Sequence, residues 1–125
     1  MDAYRLIEDE LNALADVYRP TRSGSAGRWE EVIPDEATQS GLKCRRRPAY
    51  ANEKTVGQAE NARVTHAVYV LNRASDYSLQ RGDVLEVTSI DGTSVVPGRL
   101  RLLIEQPPSE VGFTVWLAEE VQKGA

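Results

Sequence analysis

The sequence predicts a mainly β protein: a small antiparallel β-barrel or sandwich with an N-terminal α-helix and a long polar loop. Three observations carry this. From Leu42 onward the large apolar residues recur at every second position, as half-buried strands require. The pairs Gly82-Asp83 and Asp91-Gly92 break that pattern where chain reversals belong. Only residues 2–19 follow three- and four-residue spacing instead. With 125 residues, 41% hydrophobic and 27% charged, the chain suits one domain with a modest core and is too short for two. It divides into a helix (1–20), a flexible connector (21–28) and a β-barrel domain (29–125).

In the first segment Tyr4, Ile7, Leu11, Leu14 and Tyr18, with Ala15 beside them, form an apolar stripe at helical spacing. Asp2 suits an N-cap, Arg5 leaves no capping box, and Pro20 ends the run. Glu8, Asp9, Asn12 and Asp16 occupy the opposite face. Such a stripe packs on its own domain or docks on a neighbouring subunit. The second reading makes Ile7, Leu11, Leu14 and Tyr18 candidate interface residues. Residues 21–27 are rich in Ser and Gly and read as the connector. Residues 29–33 suit a short strand ended by Pro34, and residues 35–41 a polar loop.

Residues 42–48 suit a strand with Leu42 and Cys44 on one face and Lys43, Arg45 and Arg47 on the other. Residues 49–63 hold no large apolar residue except Tyr50 and Val56, and read as a polar loop or a short helix. Residues 64–71 are apolar on both faces, which places that strand centrally. Residues 80–83 form a turn feeding a strand over 84–90, and Asp91-Gly92 is a hairpin signal. A strand over 100–105 precedes Pro107-Pro108. In the last segment, 111–121, Phe113, Val115 and Leu117 alternate with Thr114, Trp116 and Ala118. The aromatic content is low (one Phe, two Trp, five Tyr), so the core rests on aliphatic side chains and predicts marginal stability unless a partner surface adds burial.

The charge balance argues against a general nucleic-acid binder, because the net charge is −4 and phosphate neutralisation needs a basic surface. The single cysteine, Cys44, excludes an intramolecular disulfide and suits a reducing compartment. Neither a membrane-length apolar run nor a basic-then-apolar start is evident, so a cytoplasmic protein without membrane contact is expected. The only nucleophilic dyad available is Cys44 with His66, and nothing near either residue in sequence activates it. Zinc needs about four Cys or His ligands where the chain has two. Gly24 and Gly27 lack the Lys-Ser/Thr ending of a phosphate loop. The acid pairs Glu30-Glu31 and Glu119-Glu120 point to opposite faces of a strand, and Arg81-Gly82-Asp83 reads as a tight turn. No catalytic residue, cofactor or metal is therefore expected. One feature resists a bland account: Lys43, Arg45, Arg46 and Arg47 place four cations within five residues of an acidic chain. They suit a solvated strand face, ion pairs across a subunit interface, or contact with DNA phosphates, with Arg63 as a further cation for the last.

From about Trp29 to the C-terminus, the element order resembles the small head–tail connector proteins of tailed bacteriophages, of the head-closure or stopper type. Leu42-Lys43-Cys44-Arg45-Arg46-Arg47-Pro48 resembles that family's early strand running into a polar insertion. Thr65-His66-Ala67-Val68-Tyr69-Val70 resembles its central strand, and Leu79-Gln80-Arg81-Gly82-Asp83-Val84-Leu85-Glu86-Val87 its Gly-Asp turn and next strand. The ending Leu117-Ala118-Glu119-Glu120-Val121 is similar to its terminal strand. The resemblance implies a structural virion protein of the phage neck, assembled in the host cytoplasm. Its ring, hexameric or dodecameric, would lie between a portal or adaptor ring and a tail-terminator ring, close the DNA channel and carry the tail. It would touch passing double-stranded DNA without sequence specificity. Residues 49–63 then correspond to the variable insertion, with Asn52, Glu53, Lys54, Gln58 and Glu60 as candidate channel-facing residues, and net acidity would let DNA slide. The N-terminal helix, the Ser/Gly connector and the longer Asp91-Gly92-Thr93-Ser94 turn are additions to the pattern. They keep a tail-terminator, tail-completion or adaptor role open beside the stopper. A nucleic-acid-binding barrel using residues 43–47 is the alternative of another class.

Overall fold

A computed structural model describes residues 11–23, 30–71, 79–106 and 113–121. Six antiparallel strands close into a barrel: β1 (Ala13–Tyr18), β4 (Gln39–Pro48), β5 (His66–Leu71), β6 (Val84–Ile90), β7 (Thr93–Glu105) and β8 (Phe113–Val121). Around the barrel they run β1-β4-β5-β8-β7-β6, and the ladder between β6 and β1 completes the circuit. Two short strands, β2 (Thr21–Ser23) and β3 (Glu30–Val32), pair as a separate ribbon. One helix, α1 (Ala51–Ala59), lies between β4 and β5.

The mainly β barrel predicted from the sequence is thus present, but the expected N-terminal helix over residues 2–19 is not what residues 13–18 form. Ala13–Tyr18 is a strand, and residues 1–10, including Ile7, lie outside the described residues. The reason is a period coincidence. Leu11 and Ala15 belong to both a helical stripe and a period-two stripe. In the structure Leu11, Ala13, Ala15 and Val17 are buried, while Leu14, which the helical stripe needs inside, is 41% exposed. Thr21–Ser23, assigned to the flexible connector, pairs with Glu30–Val32 instead.

The interior follows strand alternation. Ala13, Ala15 and Val17 of β1, Cys44 of β4, Val68 and Val70 of β5, Leu85 and Val87 of β6, Leu100 and Leu102 of β7, and Trp116 and Ala118 of β8 form one buried cluster. In a ring of six strands β8 stands across from β1, so the bulky Trp116 lies opposite the small side chains of β1. Such pairing of large with small suits the narrow interior of a six-stranded barrel. A second cluster, Val64, Ala67 and Leu117, lies on the outer face of β5 and β8 with Tyr69, Ile104 and Val115 packed against it. This explains why β5 reads as apolar on both faces.

Turn chemistry matches the sequence at the Asp91-Gly92 hairpin and at the turn before β6. Asp91 (φ 51°) and Gly92 (φ 77°) join Ile90 to Thr93 as a two-residue loop with both φ positive, the type I′ turn whose twist suits strands. At the other, Asp83 N–H donates to the Gln80 carbonyl at 3.1 Å with Gly82 at φ 94°. The Asp83 carboxylate, 1% exposed, accepts Gln80 N–H at 3.0 Å and a two-pronged pair from Arg19 at 3.0 and 3.1 Å. This fastens the start of β6 to the end of β1. Between Val87 and Ser89 the β6–β7 register shifts, and β7 bulges over Val95, Val96 and Pro97. A bulge is where a strand tolerates a proline, which has no N–H to offer the ladder.

Of the two readings of residues 49–63, the helix is the one formed. Its C-terminus is a Schellman motif: Ala62 N–H donates to the Gly57 carbonyl at 2.8 Å and Asn61 N–H to that of Gln58 at 3.1 Å, with Asn61 at φ 55°. Gly57 is buried because the helix approaches Val64 there. A Cβ on it would stand 2.5 Å from Val64 Cγ2 and 2.9 Å from the Ala62 carbonyl oxygen. Gly→Ala inside a helix ordinarily stabilises by about 1 kcal/mol. Here Gly57→Ala is expected to lower stability by about 1–3 kcal/mol through overpacking, measured as a lower urea midpoint. A higher midpoint would contradict this helix–strand contact.

Candidate functional site

The candidate site is the basic strand β4 with the helix that follows it. Alternation along β4 turns Lys43, Arg45 and Arg47 outward and Leu42, Cys44 and Arg46 inward. The four cations therefore do not form one patch.

Arg47 holds α1. Its Nη1 and Nη2 donate to Glu53 Oε1 and Oε2 at 2.6 and 2.9 Å, and its Nε donates to the Tyr69 hydroxyl at 3.0 Å. The guanidinium lies 3.8 Å from the centre of the Tyr50 ring, and Nη1 also donates to the Pro48 carbonyl at 3.2 Å. Glu53, in the first turn of α1, accepts Tyr50 N–H at 2.8 Å, satisfying one of the helix's unpaired N-terminal donors. The Arg47 hydrogen bonds hold the Glu53 carboxyl below its ordinary range, against the opposing effect of burial, and the Tyr50 N–H adds to the lowering. Strand, helix start and aromatic platform thus converge on one guanidinium.

The remaining candidates are dispersed. Lys43 is exposed and pairs across the ladder with Leu14, so these two share an outer patch on β1 and β4. Arg45 is exposed. Leu11 and Tyr18 are buried and face no solvent. Tyr18 lies beneath the Arg99 guanidinium, 5.1 Å from its ring centre, next to the Arg99–Glu86 pair at 2.9 Å. Burial pushes the Tyr18 phenol up, and the charges of Glu86 and Asp16 add to that. Asn52, Lys54, Gln58 and Glu60 are exposed on α1 and its C-cap, whereas Glu53 is engaged by Arg47.

Sequence reasoning missed a groove of about 610 Å³ lined by Lys54, Gln58, Asn61, Ala62, Arg63, Val64 and Thr65. Lys54 and Arg63 are exposed and have no ion-pair partner among the described residues. The groove exists because the Schellman turn folds residues 61–65 back along the helix, which spacing alone does not reveal. The missed ion pairs Arg19–Asp83 and Arg101–Glu31 brace the barrel, the second by tying the β2–β3 ribbon to β7.

Cys44 and His66 do not form a dyad. Both face inward on neighbouring strands, but Cys44 stands opposite Val70 and His66 opposite Pro48. Four strand positions separate their levels, roughly 13 Å. Burial pushes the Cys44 thiol up to about 11, which suppresses the thiolate. Among the described residues no cluster of three or more His, Cys, Asp or Glu side chains is arranged to hold a metal ion. No described helix is long and apolar enough to cross a membrane. Comparison with protein-family models, with curated proteins and with solved structures finds no match to this chain.

Two outcomes are expected. A thiol reagent at pH 8 should label Cys44 at least about tenfold more slowly in the native protein than in denaturant; equal rates would place the thiol at the surface. The Glu53 carboxyl titrates lower in the folded than in the unfolded chain, so its contribution is complete above the ordinary glutamate value of about 4.3 and is lost as pH falls through the lower folded value. Amide exchange of residues 51–59 should accelerate, beyond its intrinsic pH trend, over that acid window, and Glu53→Gln should show the faster exchange already at pH 7.

Proposed function

We propose that this protein is a non-enzymatic structural component of a phage neck, acting through its surfaces as one subunit of a ring between portal and tail. The observation that carries the reading is where residues 49–63 stand. The polar insertion between two adjacent strands is a helix outside a closed barrel, clasped at its start by Arg47. Its outer positions Asn52, Lys54, Gln58 and Glu60 are left exposed for a partner or a channel. Closure supports the same reading, since the barrel itself offers no open edge and its association would use side-chain patches such as Leu14 with Lys43. In this reading the ring closes the DNA channel after packaging and presents the platform on which the tail docks. A tail-terminator, tail-completion or adaptor ring would use the same surfaces.

Electron microscopy of lysates from a phage deleted for this gene is the test. Free tails beside heads that have packaged and lost DNA are expected. Joined, infectious particles would overturn the proposal.

A second reading, a nucleic-acid-binding barrel, is favoured by one observation: Lys54 and Arg63, without ion-pair partners among the described residues, share a groove with Gln58, Asn61, Thr65, Ala62 and Val64. Its measurement is duplex binding by fluorescence anisotropy across salt concentrations. Under the neck proposal the isolated subunit binds DNA weakly, and Lys54→Glu with Arg63→Glu changes little. Tight binding that collapses with salt and with those substitutions would move the function to the second reading.

A further inference from the structure

Towards one end of the barrel an arginine turns into an interior that is otherwise mainly apolar. Arg46 follows the buried Cys44 on the inward face of β4 and stands opposite Val68, which is fully buried. In the six-strand order β7 is diametrically across from β4. Arg46 Nη1 nonetheless reaches β7: it lies 3.4 Å from where a Cβ on Gly98 would be. The side chain therefore spans the barrel end, and the bare glycine provides its room. Arg19, Arg47, Arg99 and Arg101 each pair with a carboxylate. Arg46 has no hydrogen-bond or ion-pair partner among the described residues, and its partly exposed guanidinium keeps donors open to an incoming acceptor.

His66 shares this end. It precedes Val68 by two positions on β5, faces inward with it, and stands between Pro48 and Ala118 of the neighbouring strands. Its Nδ1 lies 2.9 Å from Thr65 Oγ1, and that oxygen accepts Glu120 N–H at 2.7 Å. The Thr65 hydroxyl also lies within donating distance of the Ala118 carbonyl, at 3.5 Å, so Thr65 ties the His66 ring to the backbone of β8. Burial lowers the His66 pKa first; the Glu120 charge raises it and the Arg46 charge lowers it. Both charged groups therefore lie within electrostatic reach of the ring.

We propose that Arg46, with His66 beside it, forms a carboxylate-binding site at the end of the barrel. A guanidinium fork matches a carboxylate in two-pronged geometry. The local charge, one Arg46 cation beside the Glu120 anion and a neutral His66, suits a monoanion better than a phosphate dianion. The site shares only Thr65 with the lining of the α1 groove and does not depend on the neck reading. The carboxylate comes either from a small molecule or from an acidic side chain of a second copy of this chain, which has 19 acidic residues against 15 basic ones.

His66 is the single histidine, so its ring resonances report on the site alone. The test is an NMR pH titration of His66 with rising sodium acetate, against sodium chloride at equal ionic strength. An acetate held by Arg46 offsets that cation, so the His66 midpoint should rise by about half a pH unit, saturably, beyond the chloride control. In Arg46→Gln the midpoint should already be raised without acetate and respond no further. Arg46→Lys, which keeps the charge but loses the fork, should show a weaker acetate response. Equal effects of acetate and chloride, or an Arg46→Gln protein that responds like wild type, would overturn the proposal. Sedimentation then separates the sources. Self-association that acetate suppresses and Arg46→Gln abolishes identifies a second copy, and acetate binding without it identifies a small molecule.

Discussion

The architecture depends on one constraint: β1 must pair on both sides. Ala13–Tyr18 supplies the ladder to β4 on one edge and to β6 on the other, and without it the other five strands form an open sheet with two bare edges. A closed circuit gives every barrel strand a ladder on both sides and leaves the barrel without an open edge for accidental pairing. It also sets what fills the interior: the bulky Trp116 of β8 and Leu85, Leu100 and Leu102 of β6 and β7 share it with the small Ala and Val side chains of β1. The Arg19–Asp83 pair reinforces closure where β1 ends and β6 begins. Its acid is fully buried and so held in place by its partners, while Arg19 is about one-third exposed, which limits the net stabilisation.

Closure has a consequence for function. With strand edges consumed and the interior filled, what remains for partners is the outer surface and the barrel ends. The four clustered cations of β4 divide among these regions. Arg47 is spent inside the molecule as the clasp for α1, Lys43 and Arg45 lie outside, and Arg46 turns into the barrel end. A basic run that reads as one patch in sequence is three different environments in space, because a strand sends successive side chains to opposite faces. The exposed cations of the groove, Lys54 and Arg63, come from the polar insertion instead.

Much of the fold was legible in the sequence. Asp91-Gly92 named its turn, since few other dipeptides accept two positive φ values, and the double-sided apolarity of residues 64–71 marked β5 as flanked on both faces. Residues 11–18 were misread because Leu11 and Ala15 fit both periods and alanine is a strong helix former and a poor strand former. The need for a closing strand decided the outcome, and that need is tertiary. The site was less legible than the fold. Arg47 meets Glu53 only because the chain bends at Tyr50 into a helix, and Arg46 meets Gly98 only because β4 and β7 lie across a barrel. The glycine at residue 57, in a helix it should weaken, was the one signal of close approach available from sequence.

The role of β1 is the point on which the barrel, its filled interior and its lack of edges all rest. Nuclear Overhauser contacts along residues 13–18 test it most directly. Cross-strand contacts to both neighbours are expected, Ala13 with Cys44 on one side and Val17 with Leu85 on the other. Sequential helical contacts between residues three apart, without those cross-strand pairs, would contradict it.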